Sequence, residues 1–220
     1  MSIVCYIPML EGQLPEMDAW LATVPQRFGI TPVLLPQVDW NNDLTPWPSG
    51  PIFKKGKPFG GKADAYLQRL ENEIIPSIEK SLPDNVPGCA SPPAPGTGST
   101  VAERWLLGVS LAGLFAIWAS ARTASFTRVA AVSGSFWYPG FSDWLAGQAI
   151  RAESCYLSLG DREASGKNPH LMSIAVETGK VVRIIRSQGV PATFEWTSGT
   201  HFGPILPRLD QALAALSLHR

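Results

Sequence analysis

Apolar residues recur along this chain with two periods, one suited to strands and one to helices. The run from Ile3 to Met9 is apolar and β-branched, breaks at Glu11-Gly12, and is followed by LPEMDAWLATVPQRF, whose pattern is helical up to Gly29. These residues predict a strand, a loop and a helix. A second apolar run, Pro32 to Val38, ends at Asp39-Trp40 and opens into a stretch rich in Pro, Gly and aromatics, NNDLTPWPSGPIFKKGKPFGG. Loops of that length inside a compact domain are functional or disordered.

From Lys62 to Leu82 the positions Ala65, Leu67, Leu70, Ile74, Ile75 and Ile78 keep helical spacing, and Pro76 is expected to bend or shorten that helix. CASPPAPGTGST then reads as a surface loop. Beyond it strands alternate with helices. A strand at Arg104 to Val109 leads to a helix at Leu111 to Ala121, and a strand at Arg128 to Ser133 to an aromatic loop and helix at Phe136 to Ile150. A strand at Cys155 to Leu159 precedes a helix at His170 to Gln188, and a strand at Ala192 to Thr197 precedes a last helix at Pro204 to Leu218. This alternation predicts an α/β fold with a parallel sheet covered on both faces, whose ligand site lies along the edge where the strands end.

With 220 residues, 45% of them hydrophobic, the chain is long enough for one substantial core, and residues 1–220 are expected to form one domain. Its formal net charge is +0 and its longest basic run is Lys54-Lys55, which argues against nucleic acid or an anionic membrane as the main partner and favours a small uncharged or mildly polar ligand. No apolar stretch reaches the roughly 18 residues of a membrane span. The N-terminus has no basic leader or small-residue cleavage site, so a cytoplasmic protein is expected. Cys5, Cys89 and Cys155 lack CxxC spacing; free thiols are expected, with neither a disulfide framework nor a metal site.

The sharpest motif is Gly108-Val109-Ser110-Leu111-Ala112-Gly113, set between an apolar strand and an apolar helix. It has the form of a nucleophile elbow, in which small residues two before and two after the serine relieve a turn too tight for side chains. Ala112 stands where a second glycine is usual. A phosphate-cradling loop is the poorer reading, because no lysine follows the glycines and no GxGxxG is present.

A serine hydroxyl attacks only when a base takes its proton, and the chain has three histidines. His219 is penultimate, and His170 opens a helix after Asn168-Pro169, where capping or solvation explains it. His201, in WTSGTHFGP between the last strand and the last helix, is placed to return over the serine. The acid that orients it should fall between Ser110 and His201. Asp143, Glu153, Asp161, Glu163, Glu177 and Glu195 qualify, and Asp161 and Glu163 directly follow a strand. Glu163 is favoured by its Gly-x-x-acid spacing from Gly160, Asp161 is the alternative, and a Ser-His dyad stays open. Two backbone N–H groups should form an oxyanion hole: that of Leu111, and one from Leu10 or Glu11 after the first strand. Trp40, Trp47 and Trp137, in DWNNDLTPWP and SFWYPGF, either line an acyl or aryl pocket or form satellite core.

GVSLAGLFAIWA, AAVSGSFWYPGF, SLGDREASGKNP and GTHF together closely resemble the esterase group of α/β-hydrolases that includes esterase D and the siderophore esterases, and FGGKADAYLQRLENEIIPSIE is similar to the helix before the elbow in that group. The resemblance implies an α/β-hydrolase fold, with Ser110 as nucleophile, His201 as base and Glu163 or Asp161 as acid, and no cofactor; in the siderophore branch the acid is weak or dispensable. Two departures stand out. The chain begins at what would be the third strand of the full fold, leaving a sheet edge open or covered by a partner, as in a homodimer. The glycine pair usual after the oxyanion strand is reduced to Leu10-Glu11-Gly12. The expected activity is hydrolysis of a small-molecule carboxylic ester through an acyl-enzyme. The alternatives are acyl transfer to an alcohol and a non-catalytic protein that binds ligands in the same cleft.

Overall fold

The computed structural model describes residues 2–9, 16–35, 38–52, 54–82, 101–165 and 169–218. Six strands form one sheet: β1 (Ser2–Pro8), β2 (Thr31–Leu35), β5 (Val101–Val109), β6 (Arg128–Val132), β7 (Ser154–Gly160) and β8 (Ala192–Thr197). A separate antiparallel pair, β3 (Pro48–Ser49) and β4 (Phe59–Gly60), lies in the aromatic loop. The main sheet has the order β2-β1-β5-β6-β7-β8, and every neighbouring pair is parallel. The chain steps outward from β1 to β2, crosses back to β5, then proceeds strand by strand. The order therefore reverses between β1 and β5, where an open parallel sheet leaves a crevice at the carboxyl ends of its strands.

Alternation along the strands divides the core in two. Ile3, Cys5 and Ile7 of β1 join Trp105, Leu107, Ala130, Val132 and Tyr156 on one face, covered by α1 (Met17–Phe28) and α9 (Ile205–Ser217). Val4 and Tyr6 share the other face with Leu106, Val129, Ala131 and Leu157. That face is covered by α5 (Leu111–Arg122) and by α8 (Ile174–Ser187), with α3 (Ala63–Arg69) and α4 (Ile75–Ser81) beside them. Helix α5 is apolar all round, and Leu111 to Ala121 are all buried, as such a composition requires.

The segment from 63 to 81 stays helical through Pro76 by widening into a π-turn at Leu70–Ile74. Pro76 lacks an N–H and its ring collides with the carbonyl four residues back, and the wider turn takes up both defects. The helix expected over Phe136 to Ile150 is shorter, α6 (Phe141–Ala146), because Pro139 and the left-handed Gly140 hold the preceding residues in turns. The helix expected from His170 to Gln188 is divided at Ser173 into α7 (Pro169–Met172) and α8. The short α2 (Trp40–Asp43) is capped by the Asp39 side chain, which accepts from Asn42 N–H.

Cys5 and Cys155 are free and buried, and burial pushes both thiols up, to about 12 for Cys155. Cys89 lies outside the described residues. Among the described residues no helix is long and apolar enough to cross a membrane.

Candidate active site

Strand β5 turns into α5 at Ser110, which adopts φ 58° and ψ −121°. Ser110 and Ser133 are the two non-glycine residues of positive φ among those described, a strained state that clusters at functional sites. The turn is held by Ser110 N–H to Val132 O and Ser135 N–H to Ser110 O, both at 3.0 Å. A Cβ on Gly108 would stand 2.1 Å from the Ala112 backbone, and one on Gly113 3.0 Å from Gly134 Cα. Glycine at both positions lets the helix start hard against the strands.

His201 sits in the loop between β8 and α9, its Nε2 3.0 Å from Ser110 Oγ and its Nδ1 2.8 Å from Glu163 Oε2. Glu163 begins a 3₁₀ turn, Glu163–Ser165, just after β7. Its Oε1 accepts hydrogen bonds from Ser133 Oγ at 2.6 Å and from Gly160 N–H at 2.7 Å. Burial works to raise the Glu163 carboxyl, but hydrogen bonds from His201, Ser133 and Gly160 outweigh it and hold the group below the usual glutamate range. An ionised Glu163 can only accept, so the contact at Nδ1 is a hydrogen bond when that nitrogen carries a proton, and in that tautomer Nε2 faces Ser110 Oγ as an acceptor. Ser135 Oγ lies 3.2 Å from Ser110 Oγ, within hydrogen-bond distance.

Asp161 is not brought to His201. Its Oδ1 accepts from Gly199 N–H at 2.8 Å and lies 3.9 Å from Arg162 Nε, so it ties the histidine loop to the end of β7. The Leu111 N–H is at the first turn of α5, where helical N–H groups lack intrahelical partners. Leu10 and Glu11 lie outside the described residues. His170 is the second residue of α7, which begins at Pro169, and His219 lies outside the described residues.

Ser110 and His201 open into a cavity of about 320 Å³ whose walls include Trp40, Phe59, Trp137 and Ile174. Two of the three expected tryptophans thus face the cavity and one does not. Trp47 packs edge-on against Tyr138 and Trp144, donates from Nε1 to Pro139 O at 3.0 Å, and its carbonyl accepts from the Tyr138 hydroxyl at 2.5 Å. It braces the turn that carries Trp137. Phe202, 93% exposed, stands edge-on to His201 at the mouth.

Three polar residues of this centre escape a motif-based reading: Ser133, Ser135 and Arg208. Arg208 alone left a legible signal, as a charge among Leu209, Ala212, Leu213 and Leu216 on the apolar face of the last helix. The assembled groups can pass a proton from a serine to an imidazole oriented by a carboxylate, the requirement for attack on an acyl carbon.

The fold is that of solved esterase structures. The siderophore hydrolase EstA from Aspergillus nidulans superposes with a TM-score of 0.70 at 18% identity, covering 98% of this chain and 82% of its own. EstB from the same organism, also a siderophore hydrolase, gives 0.66 at 17%, with 98% and 81% covered. The enterobactin esterase FES from Shigella flexneri gives 0.64 at 16%; 98% of this chain is covered, and it spans about half (52%) of that protein. No curated protein sequence matches significantly. Residues 21–201 match the family model described as Putative esterase, and the chain accordingly belongs to that family of carboxylic ester hydrolases.

Proposed function

We propose that the chain is a serine esterase that cleaves a small carboxylic ester through an acyl-enzyme. Ser110 attacks the acyl carbon while His201 takes its proton, and His201 returns that proton to the departing alcohol. Water, deprotonated by the same histidine, then releases the acid and restores Ser110. Glu163 holds the imidazole with its proton on Nδ1 and balances the imidazolium that forms. The Leu111 N–H receives the oxyanion, with a second donor from Leu10 or Glu11. In this scheme residues 108–113 are a nucleophile elbow.

The observation that carries the proposal is the unbroken chain from Glu163 Oε2 through His201 to Ser110 Oγ, at 2.8 and 3.0 Å, on the floor of an apolar cavity. A protein that only binds ligands has no need of that alignment. The walls of Trp40, Phe59 and Trp137 favour an ester with an apolar or aromatic acyl or aryl group.

The test is a fluorophosphonate probe applied to the wild type, Ser110→Ala and His201→Ala, with the adduct located by mass spectrometry. Labelling at Ser110 that is lost in both variants is the expected result. A folded wild type that stays unlabelled overturns the assignment.

A further inference from the structure

Arg208 is a buried guanidinium on the first turns of α9, 3% exposed in its side chain. Its hydrogen-bond and ion-pair partners belong to the frame of the proposed catalytic centre. Its Nη1 donates to Ser133 Oγ at 3.1 Å and lies 3.6 Å from Glu163 Oε1. Its Nη2 donates to the carbonyls of Ser198 at 3.0 Å and Thr200 at 2.9 Å. Those carbonyls flank Gly199, whose φ is +106°, and directly precede His201. One planar fork therefore joins the loop that carries the histidine to the carboxylate and to the strained serine beside it.

A buried charge is costly unless it is paired and hydrogen-bonded, and an apolar side chain of similar volume would fill the same space at less cost. The residues around Arg208 keep room for it: a Cβ on Gly203 would stand 2.7 Å from Nη2. Ser133 turns to φ 50° and puts its hydroxyl between the guanidinium and Glu163, accepting from the first and donating to the second. A lysine would supply a point charge without the fork that reaches two carbonyls and a hydroxyl at once.

We infer that Arg208 is a positioning residue for ester hydrolysis, which fixes the Glu163–His201 pair by clamping the 198–200 loop and anchoring the carboxylate through Ser133. The inference rests on the roles proposed above for Ser110, His201 and Glu163. Arg208 touches neither substrate nor the reacting atoms, and its effect reaches Ser110 only through the acid–histidine pair.

The experiment is a mutant cycle on the full chain with a p-nitrophenyl ester as probe, comparing wild type, Arg208→Met, Glu163→Gln, the double variant, and Arg208→Lys. Ser110→Ala is the control for the site itself. Arg208→Met is expected to lower kcat about 10- to 100-fold with KM little changed, the scale of hydrogen bonds to a charged group. In the Glu163→Gln background the same substitution should cost far less, because its route is already broken. Equal fold-losses in the two backgrounds, as a merely structural role requires, overturn the inference. Should Arg208→Met fail to fold, Arg208→Lys decides: it should lose part of kcat and shift the downfield His201 Nδ1–H proton resonance, and wild-type kcat with an unmoved resonance overturns the role. Hydrolysis that survives Ser110→Ala instead removes the underlying site assignment, a failure separate from that of Arg208.

Discussion

Gly160 and Glu163 close on one another at the end of β7: the Gly160 N–H donates to Glu163 Oε1 at 2.7 Å, and the carboxylate folds back over the glycine. A Cβ on Gly160 would lie 2.9 Å from that oxygen and 2.5 Å from Gly199 O. The spacing that singled out Glu163 in the sequence thus has a steric basis. Gly160→Ala should displace Glu163 or the Gly199 carbonyl, destabilise the fold by about 1–3 kcal/mol, as overpacking does, and lower kcat more than it changes KM. Thermal unfolding together with steady-state kinetics checks both parts.

The two carboxylates after β7 do different work, and substitution separates them. Glu163→Gln leaves the size of the side chain but removes the charge that fixes the imidazole tautomer, and kcat should fall by about 10²- to 10⁴-fold. Asp161→Asn keeps an oxygen that can accept from Gly199 N–H and should leave kcat within about a few-fold of wild type, as expected when a modest hydrogen bond is weakened rather than lost. Steady-state kinetics on the pair gives the answer. Comparable losses in both variants would assign Asp161 a part in catalysis that its bond to Gly199 N–H does not suggest.

The depressed Glu163 carboxyl also sets a pH dependence of stability. Because its folded pKa lies below the unfolded value, ionised Glu163 stabilises the fold at pH above the ordinary glutamate value of about 4.3, and that contribution is lost as the pH falls through the folded pKa. Wild type should therefore be more stable than Glu163→Gln at neutral pH, with the gap narrowing as the pH drops below the glutamate range. Chemical denaturation of both proteins at neutral pH and in acid measures the gap. A difference that stays constant across that range would show that Glu163 gains nothing from its charge in the folded state.

Much of this centre was legible because its geometry is local. Gly108, Ser110 and Gly113 announce a tight strand-to-helix turn by their spacing, and His201 follows from elimination and chain order. Ser133 and Ser135 were not legible, and Arg208 showed only as a charge on an apolar helix face, because their roles depend on where β6 and α9 end relative to Glu163, a relation fixed by sheet order and helix packing. Helix lengths failed for a similar reason. The apolar pattern from Phe136 to Ile150 is continuous, but its first residues pack as turns around Trp47 and Phe59 rather than as a helix. The π-turn before Pro76 has no sequence period of its own, so only a bend or a stop was predicted there.

The three tryptophans give the last prediction, since sequence alone treated them alike and the fold divides them. Trp40 and Trp137 face the cavity, and Trp137 also rests on Phe59 with ring centroids 5.9 Å apart. Trp47 faces away, into Tyr138 and Trp144. Trp40→Ala and Trp137→Ala remove apolar surface that a bound acyl or aryl group would cover, so KM should rise, and most for the bulkiest aromatic esters; each lost methylene-sized contact corresponds to about 0.8 kcal/mol. Trp47→Ala removes a partly buried side chain that supports the fold, and should lower stability by about 1–3 kcal/mol with a smaller change in the selectivity between short and aromatic esters. Kinetics across an ester series, read beside unfolding curves for the three variants, separates the two roles. If Trp47→Ala alone shifted selectivity while the other two did not, the bound group would have to lie on the opposite side of the Tyr138 turn from the cavity above Ser110.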